Sequence, residues 1–228
     1  MLRLHILASG SGGNAAIVEN AATGEGVLID CGICKRDFFA RAEEAGFDLG
    51  RLRAVVITHD HGDHTKGLGV VLRGLAKAGA RPAVHASEAV FAASAPLRDA
   101  VASVGAAFEP FGGGDVLEAA GLAVRPFRTS HDAADSYGFR FDEAGGDRDS
   151  LGYMTDTGIV TDKAWEALSG VRLLALESNH DARMLEVGPY PYVIKQRIAS
   201  ARGHLSNDQA REALDNLAHE NLRAVAAM

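Results

Sequence analysis

Apolar positions along the chain follow two periods that alternate from one segment to the next. Leu2–Ala8 reads as a strand. Ala15–Val18 and Val27–Asp30 read as a hairpin pair around Thr23-Gly24-Glu25-Gly26, a run with turn chemistry. Lys35–Ala45 sets Phe38, Phe39, Ala42 and Ala45 at helical spacing. Ala54–Thr58 is a short apolar run of the buried-strand type. Leu68–Lys77 predicts a helix, Ala83–His85 a short strand, and Ser87–Ala95 a helix capped by Ser87.

Residues 104–155 read as a second, more β-rich half. Its strands are expected at Leu122–Phe127, Tyr137–Phe141 and Leu151–Thr155, with Ala144-Gly145-Gly146 turning one hairpin. Helices follow at Asp162–Leu168, Pro191–Ala199 and Asn207–Glu220, and strands at Leu173–Leu176 and Ala224–Met228. Two similar halves of strands and helices suggest an α/β chain of two packed sheets with helices outside. Periodicity alone does not separate this from other α/β arrangements. The length fits one domain spanning residues 1–228.

Composition narrows the class of function. Apolar residues make up 47% of the chain, and no apolar run approaches the roughly 20 residues of a membrane span. The first residues read as a strand rather than a signal peptide. Two cysteines are too few for a disulfide framework, so a reducing cytoplasm is the expected setting. Cys31 and Cys34 have CxxC spacing but no second pair, and read as structural. A net charge of −7 argues against a broadly basic nucleic-acid binder. The charge is uneven: Arg183, Lys195, Arg197, Arg202 and Arg211 face only Glu186 and Asp208 between residues 182 and 211. That run is a basic face or a solvated helix surface; composition does not choose between them.

The densest chemistry follows the strand Ala54–Thr58. Thr58-His59-Asp60-His61-Gly62-Asp63-His64 packs three histidines and two aspartates into one loop. Imidazole and carboxylate suit zinc, manganese or iron. His131 and Asp156 each stand just past a predicted strand and offer further ligands. Taken alone, an aspartate in Thr155-Asp156-Thr157-Gly158 is more often only a turn former; the histidine cluster turns the balance toward a ligand. The Gly-rich loop Ser9–Asn14 either cradles a phosphate through its N–H groups, with Ser9, Ser11 and Asn14 as substrate contacts, or packs tightly near the metals.

The motif THDHGDH resembles the HxHxDH signature of the metallo-β-lactamase superfamily. The likeness extends over nearly the whole chain. Leu7–Asn14, Ser130–Asp135, Glu177–Asp181, Gly188–Tyr192 and Arg202–Asn207 together resemble the YycJ/WalJ branch of small bacterial nucleases. The resemblance implies the αββα sandwich, two mixed β-sheets face to face with helices outside. It implies two divalent ions, zinc or manganese. His59, His61 and His131 would hold one, Asp63 and His64 the other, and Asp156 would bridge. Asp30 would buttress the ligand loop, His204 would protonate the leaving oxygen, and Glu177 would orient His204. His180 falls at the rim. The family's remaining ligand for the second ion follows the final strand, where this sequence stops at Met228. The expectation is therefore a tight first ion and a weak second.

The function expected from the resemblance is phosphodiester hydrolysis by a DNA exonuclease-like enzyme, with DNA favoured over RNA and no membrane partner. Hydrolysis of a thioester or lactone on the same cage is one alternative. A metal-binding module without activity is another.

Overall fold

The computed structural model describes residues 1–144 and 149–228. Among these residues the strands form two six-stranded mixed sheets. The first contains β1 (Leu2–Ala8), β2 (Ala15–Asn20), β3 (Glu25–Ile29), β4 (Leu52–Val56), β5 (Ala83–Ala86) and β6 (Phe108–Pro110), in that spatial order. The second contains β7 (Leu117–Ala119), β8 (Leu122–Arg128), β9 (Tyr137–Glu143), β10 (Ser150–Met154), β11 (Leu173–Leu176) and β12 (Ala224–Ala227), also laid side by side in chain order. In the first sheet β3 to β6 run parallel; in the second β10, β11 and β12 do. The remaining neighbours pair antiparallel.

Period-two alternation explains why these strands are apolar on both faces. In β2, Ile17 turns toward the outer helices while Ala16 and Val18 turn toward the other sheet. In β3, Leu28 and the pair Val27 and Ile29 divide the same way. Phe139, Phe141, Leu151 and Tyr153 of the second sheet meet Val18, Val27, Ile29 and Val56 of the first, so the sheets close face to face. The outer layer of the first sheet is α1 (Lys35–Glu44), α3 (Leu68–Lys77), α4 (Glu88–Ala93) and α5 (Ala95–Val104); α2 (Gly62–Thr65) lies in the loop after β4. The outer layer of the second includes α6 (Asp162–Leu168) and α9 (Asn207–Leu217). Two short helices, α7 (Ala182–Val187) and α8 (Tyr192–Ile198), fill the passage from β11 to α9.

The αββα expectation is met, with local differences. The helix expected over Ser87–Ala95 stops at Ala93. Ser94 leaves helical geometry, and its side chain accepts the N–H of Leu97 to cap a new helix with Pro96 in its first turn. The second half begins later than residue 104, because β6 pairs in parallel with β5 of the first sheet. The helix α9 ends at Leu217, short of Glu220, but its start carries a full capping box between Ser206 and Gln209. The turn expected at Gly145-Gly146 lies outside the described residues.

Candidate metal centre

The parallel strands deliver the chemistry at their carboxyl ends. Asp30 follows β3, Thr58–His64 follows β4, Asp156 follows β10 and Glu177 follows β11. His131 arrives three residues past β8. Asp30 and Asp156 both adopt left-handed backbone geometry, at φ 57° and 51°. Aspartate is among the few residues that tolerate that region, and each turn there swings a carboxylate inward.

Three ligand atoms from His59, His61 and His131 lie within 4.8 Å of one another, and so do three from His59, His64 and Asp156. His59 belongs to both groups, so the two are contiguous. His61 Nδ1 and His131 Nε2 approach to 3.3 Å, and His64 Nε2 stands 3.1 Å from Asp156 Oδ2. Asp63 lies at the edge, its Oδ2 3.7 Å from His64 Nε2. A third group joins His131, Asp156 and His204.

Hydrogen bonds on the far side of each ring fix which nitrogen faces the centre. Asp30, fully buried, accepts the Thr58 N–H on Oδ1 at 2.8 Å, and the Thr58 hydroxyl on Oδ2 at 2.7 Å. The same Oδ2 accepts His64 Nδ1–H at 2.8 Å. With its proton committed to Asp30, the Thr58 oxygen accepts His59 Nδ1–H at 2.9 Å. His131 donates Nδ1–H to the Gly203 carbonyl at 3.0 Å. In all three rings Nε2 is therefore the nitrogen that points inward. His59 Nε2 is buried with no hydrogen-bond partner. An orphaned imidazole nitrogen converging with other donors is what a cation requires, and the donor set fits one.

The electrostatics agree. Burial drives His59 well below the ordinary histidine range, and His64 beside it adds to the effect, so its lone pair stays free. Burial also lowers His131, against the pull of Asp156. Burial would raise Asp156, but His64, His59 and His131 outweigh it and hold the carboxyl below the usual range, ionised. Burial opposes charge on His64 too, yet Asp30 and Asp156 on either side lift it well above its ordinary value. Positive charge is wanted between His64 and Asp156, and a divalent cation would supply it.

Next to this cluster, His204 donates Nδ1–H to Glu177 Oε1 at 2.6 Å. Glu177 is itself fixed: its Oε2 accepts the N–H of Thr157 at 2.8 Å and of Leu205 at 3.2 Å. Burial disfavours charge on His204, but Glu177 more than reverses this and raises its pKa. Asp156 Oδ1 is 3.4 Å from His204 Nδ1.

The structure brings the predicted residues together unevenly. Asn14 reaches the centre, its Nδ2 2.9 Å from His64 Nε2. Ser9 and Ser11 remain exposed. Three N–H groups of the glycine loop are engaged inside the protein, Gly10 by the Asn14 side chain, Gly13 by the Gly10 carbonyl and Asn14 by the Asp63 carbonyl. The loop thus favours tight packing over a phosphate cradle. His180 is tied by its backbone beside Ser206 and Asn207, and its buried Nδ1 has no partner. Cys31 is buried and Cys34 exposed, with no disulfide. In the basic run, Arg197 pairs with Asp132 and Arg202 donates to the His131 carbonyl. Those two groups brace the centre, which neither sequence reading anticipated.

Three contributors were not foreseen. Thr58 relays Asp30 to His59; its place inside the histidine motif was the available signal. Asp132 holds a buried, unpartnered Oδ1 at 3.5 Å from His131 Nε2. Gly32 lets two loops touch: a Cβ there would sit 1.6 Å from the Asp63 carbonyl oxygen.

Comparison with known proteins matches residues 26–225 to the β-lactamase superfamily domain. The chain belongs to the metallo-β-lactamase superfamily. Within it, the chain is 34% identical over 213 residues to an exodeoxyribonuclease YycJ of Bacillus anthracis, covering 93% of this chain and 76% of that protein. It is 33% identical over 212 residues to an exodeoxyribonuclease WalJ of Streptococcus pneumoniae, covering 92% and 74%. These relatives place it in the YycJ/WalJ branch. Among solved structures, the short form of human tRNase Z superposes with a TM-score of 0.71 at 16% identity, over 99% of this chain and 95% of that one. A diphosphatase of the PhnP family superposes with a TM-score of 0.64 at 22% identity, over 95% and 84%. The metallo-β-lactamase fold implies divalent metal binding, and the His/Asp groups described above are where this chain can hold it.

Proposed function

We propose that this protein is a metal-dependent phosphodiesterase, a nuclease of the exodeoxyribonuclease type acting on DNA. The observation that carries the reading is the His204–Glu177 pair, 2.6 Å apart, set against His131 and Asp156. Hydrolysis of a phosphodiester expels an alkoxide that needs a proton. A thioester expels a thiolate, which leaves without one.

In this reading His59, His61 and His131 would hold one divalent ion, zinc or manganese. His64 and Asp63 would hold a second, and Asp156, within reach of both groups, would complete them. Bound there, such ions supply Lewis acidity and acidify a water molecule. The chain's own residues do the rest. Asp30 and Thr58 keep His59 and His64 in the tautomer that offers Nε2. Glu177 holds the proton on His204 Nδ1 and stabilises the charged ring, so Nε2–H is ready to donate. As water attacks phosphorus and gives up a proton to solvent, the P–O bond breaks and the His204 proton passes to the departing oxygen; solvent then restores the proton to His204.

The test is turnover of a nitrophenyl phosphodiester with and without chelator, followed by end-labelled single- and double-stranded DNA and RNA. Chelator-sensitive release of nucleotides from DNA ends supports the reading. Inert diesters beside rapid thioester hydrolysis would overturn it.

A further inference from the structure

The passage from β11 to α9 carries a surface unlike the rest of the protein. Met184, Val187, Tyr190, Tyr192 and Val193 lie within ten positions, and each is between 57% and 74% exposed. Tyr190 and Tyr192 are the two surface tyrosines; the other two, Tyr137 and Tyr153, are buried in the core between the sheets. A groove of about 320 Å³ opens between α7 and α8, with Tyr192, Lys195 and Gln196 on one wall and Leu185 and Glu186 on the other.

Its charge runs against that of the chain. Residues 181–202 hold Arg183, Lys195, Arg197 and Arg202 against Asp181 and Glu186, in a protein of net charge −7. Lys195 donates to the Glu186 carbonyl and Arg202 to the His131 carbonyl, contacts that leave both charges uncompensated. The segment is also stitched to the candidate centre. The Ile198 carbonyl accepts the His204 N–H at 2.8 Å, and Arg197 pairs with Asp132. A Cβ on Gly203 would meet the Arg197 and Ile198 carbonyl oxygens at 2.2 Å, so the end of α8 is pressed against the α8–α9 loop that carries His204.

Aromatic faces interleaved with cations are the chemistry that holds unpaired bases while neutralising phosphates. We propose that α7, α8 and the loop between them form a platform for unpaired bases of a DNA strand, with Tyr190 of the loop and Tyr192 of α8 stacking on bases and Lys195 facing the backbone. This rests on the phosphodiesterase reading and adds to it a preference for single-stranded or frayed ends.

The test uses the metal-loaded protein and the paired substitution Tyr190→Ala with Tyr192→Ala. Both side chains are exposed, and circular dichroism checks the fold. Binding of a labelled phosphorothioate oligothymidylate, which resists cleavage, should weaken by about five- to one-hundred-and-fifty-fold for each stacked base lost. Tyr190→Phe with Tyr192→Phe should restore it, and binding of a blunt duplex should change far less. The loss in kcat/KM should be greater on oligothymidylate than on a nitrophenyl diester too small to span the platform. Equal losses on single strand and duplex would overturn the proposal, as would wild-type oligothymidylate affinity in the alanine variant. Either result leaves the hydrolase reading intact if the small diester is still turned over. A wild-type protein inert toward every diester would remove both. A dimer in sedimentation that the alanine variant dissociates, with oligothymidylate affinity unaltered, would assign the face to a second copy of the chain.

Discussion

Replacing Asp30 by asparagine should disarm the metal centre without unfolding the protein. Asparagine keeps the shape and tolerates the left-handed backbone at φ 57°. Its amide, however, has one oxygen where the carboxylate had two. If the new Nδ2 takes the place of Oδ2, it faces the Thr58 hydroxyl and His64 Nδ1, both of which donate in the native protein. Both must then become acceptors. His64 accepts on Nδ1 only by moving its proton to Nε2. The Thr58 hydroxyl must turn and donate to His59 Nδ1, which pushes that proton to Nε2 as well. Two inward lone pairs are lost through one atom. The other amide orientation sets Nδ2 against the Thr58 N–H, two donors face to face at a site 0% exposed, costing about 1–3 kcal/mol. Outer-shell changes of this kind weaken metal binding by about 10- to 100-fold per ligand. Asp30→Ala should do more: it strands three donors in the interior, about 3–9 kcal/mol, and lowers Tm by roughly 6–36 °C in a chain of this size. Competition against a fluorescent chelator, paired with calorimetry, separates the two. Wild-type metal affinity in Asp30→Asn, with Asp30→Ala destabilised as expected, would refute the tautomer argument and leave Asp30 a structural residue.

Other outcomes follow from the same geometry. His61→Ala should lose metal and abolish hydrolysis, measured by metal analysis and diester turnover; full occupancy with normal turnover would contradict the assignment. His204→Ala should keep its metal but lose roughly 10²–10⁴-fold in rate on DNA. The loss should shrink on nitrophenyl substrates, whose leaving group needs no proton; equal losses on both would remove the acid role. Gly32→Ala should destabilise the loop pair and metal binding together, because the added carbon meets the Asp63 carbonyl at 1.6 Å; urea titration checks it. Burial would raise Asp149, but hydrogen bonds and charge from Arg172, with the Leu2 N–H, lower its pKa in the fold. A lowered folded pKa means stability that is present above the unfolded value and drains as pH falls through the folded one. Asp149→Asn should therefore flatten only the acid limb of the stability curve, below about pH 4.

The strands and the ligand cluster were legible because their signals are local. A run such as Ala54–Thr58 buries both faces, so it reads apolar throughout, and a loop with three histidines has few uses besides a cation. What stayed hidden depended on partners distant in sequence. Arg197 and Arg202 looked like a free basic surface, since nothing near them reveals that Asp132 and the His131 carbonyl lie against them. The charge-reversal test that a basic face would invite at these two positions would disturb the metal centre directly. Lys195 is the cleaner probe of backbone contacts. The break between α4 and α5 did have a local mark, Ser94 followed by Pro96, and so did α7, whose Asp181 side chain accepts the Met184 N–H. Helices of six residues bury too little for periodicity to stand out. β6 contributes three residues to its sheet, and no pattern can assign a segment that short to one sheet rather than another.

The centre rests on one device used twice. In each half a strand ends in Asp-X-Gly: Asp30-Cys31-Gly32 after β3, Asp156-Thr157-Gly158 after β10. Each aspartate turns left-handed, and each glycine sits where a Cβ would strike another loop's backbone, that of Asp63 for Gly32 and of Ser200 and Ala201 for Gly158. In each half the next parallel strand supplies the partner across the turn, but the direction of the bond is reversed. In the first, the Thr58 N–H after β4 donates to the Asp30 carboxylate. In the second, the Thr157 N–H after Asp156 donates to the Glu177 carboxylate beyond β11. The reversal decides the division of labour. Asp30, saturated by three donors and sealed from solvent, spends its charge on holding imidazoles in place. Asp156 accepts a hydrogen bond from the Thr155 hydroxyl at 3.0 Å and, with its backbone neighbour serving Glu177, turns its carboxylate toward His64, His131 and His204. In the proposed mechanism, one half therefore orients ligands while the other presents a ligand and braces a proton donor.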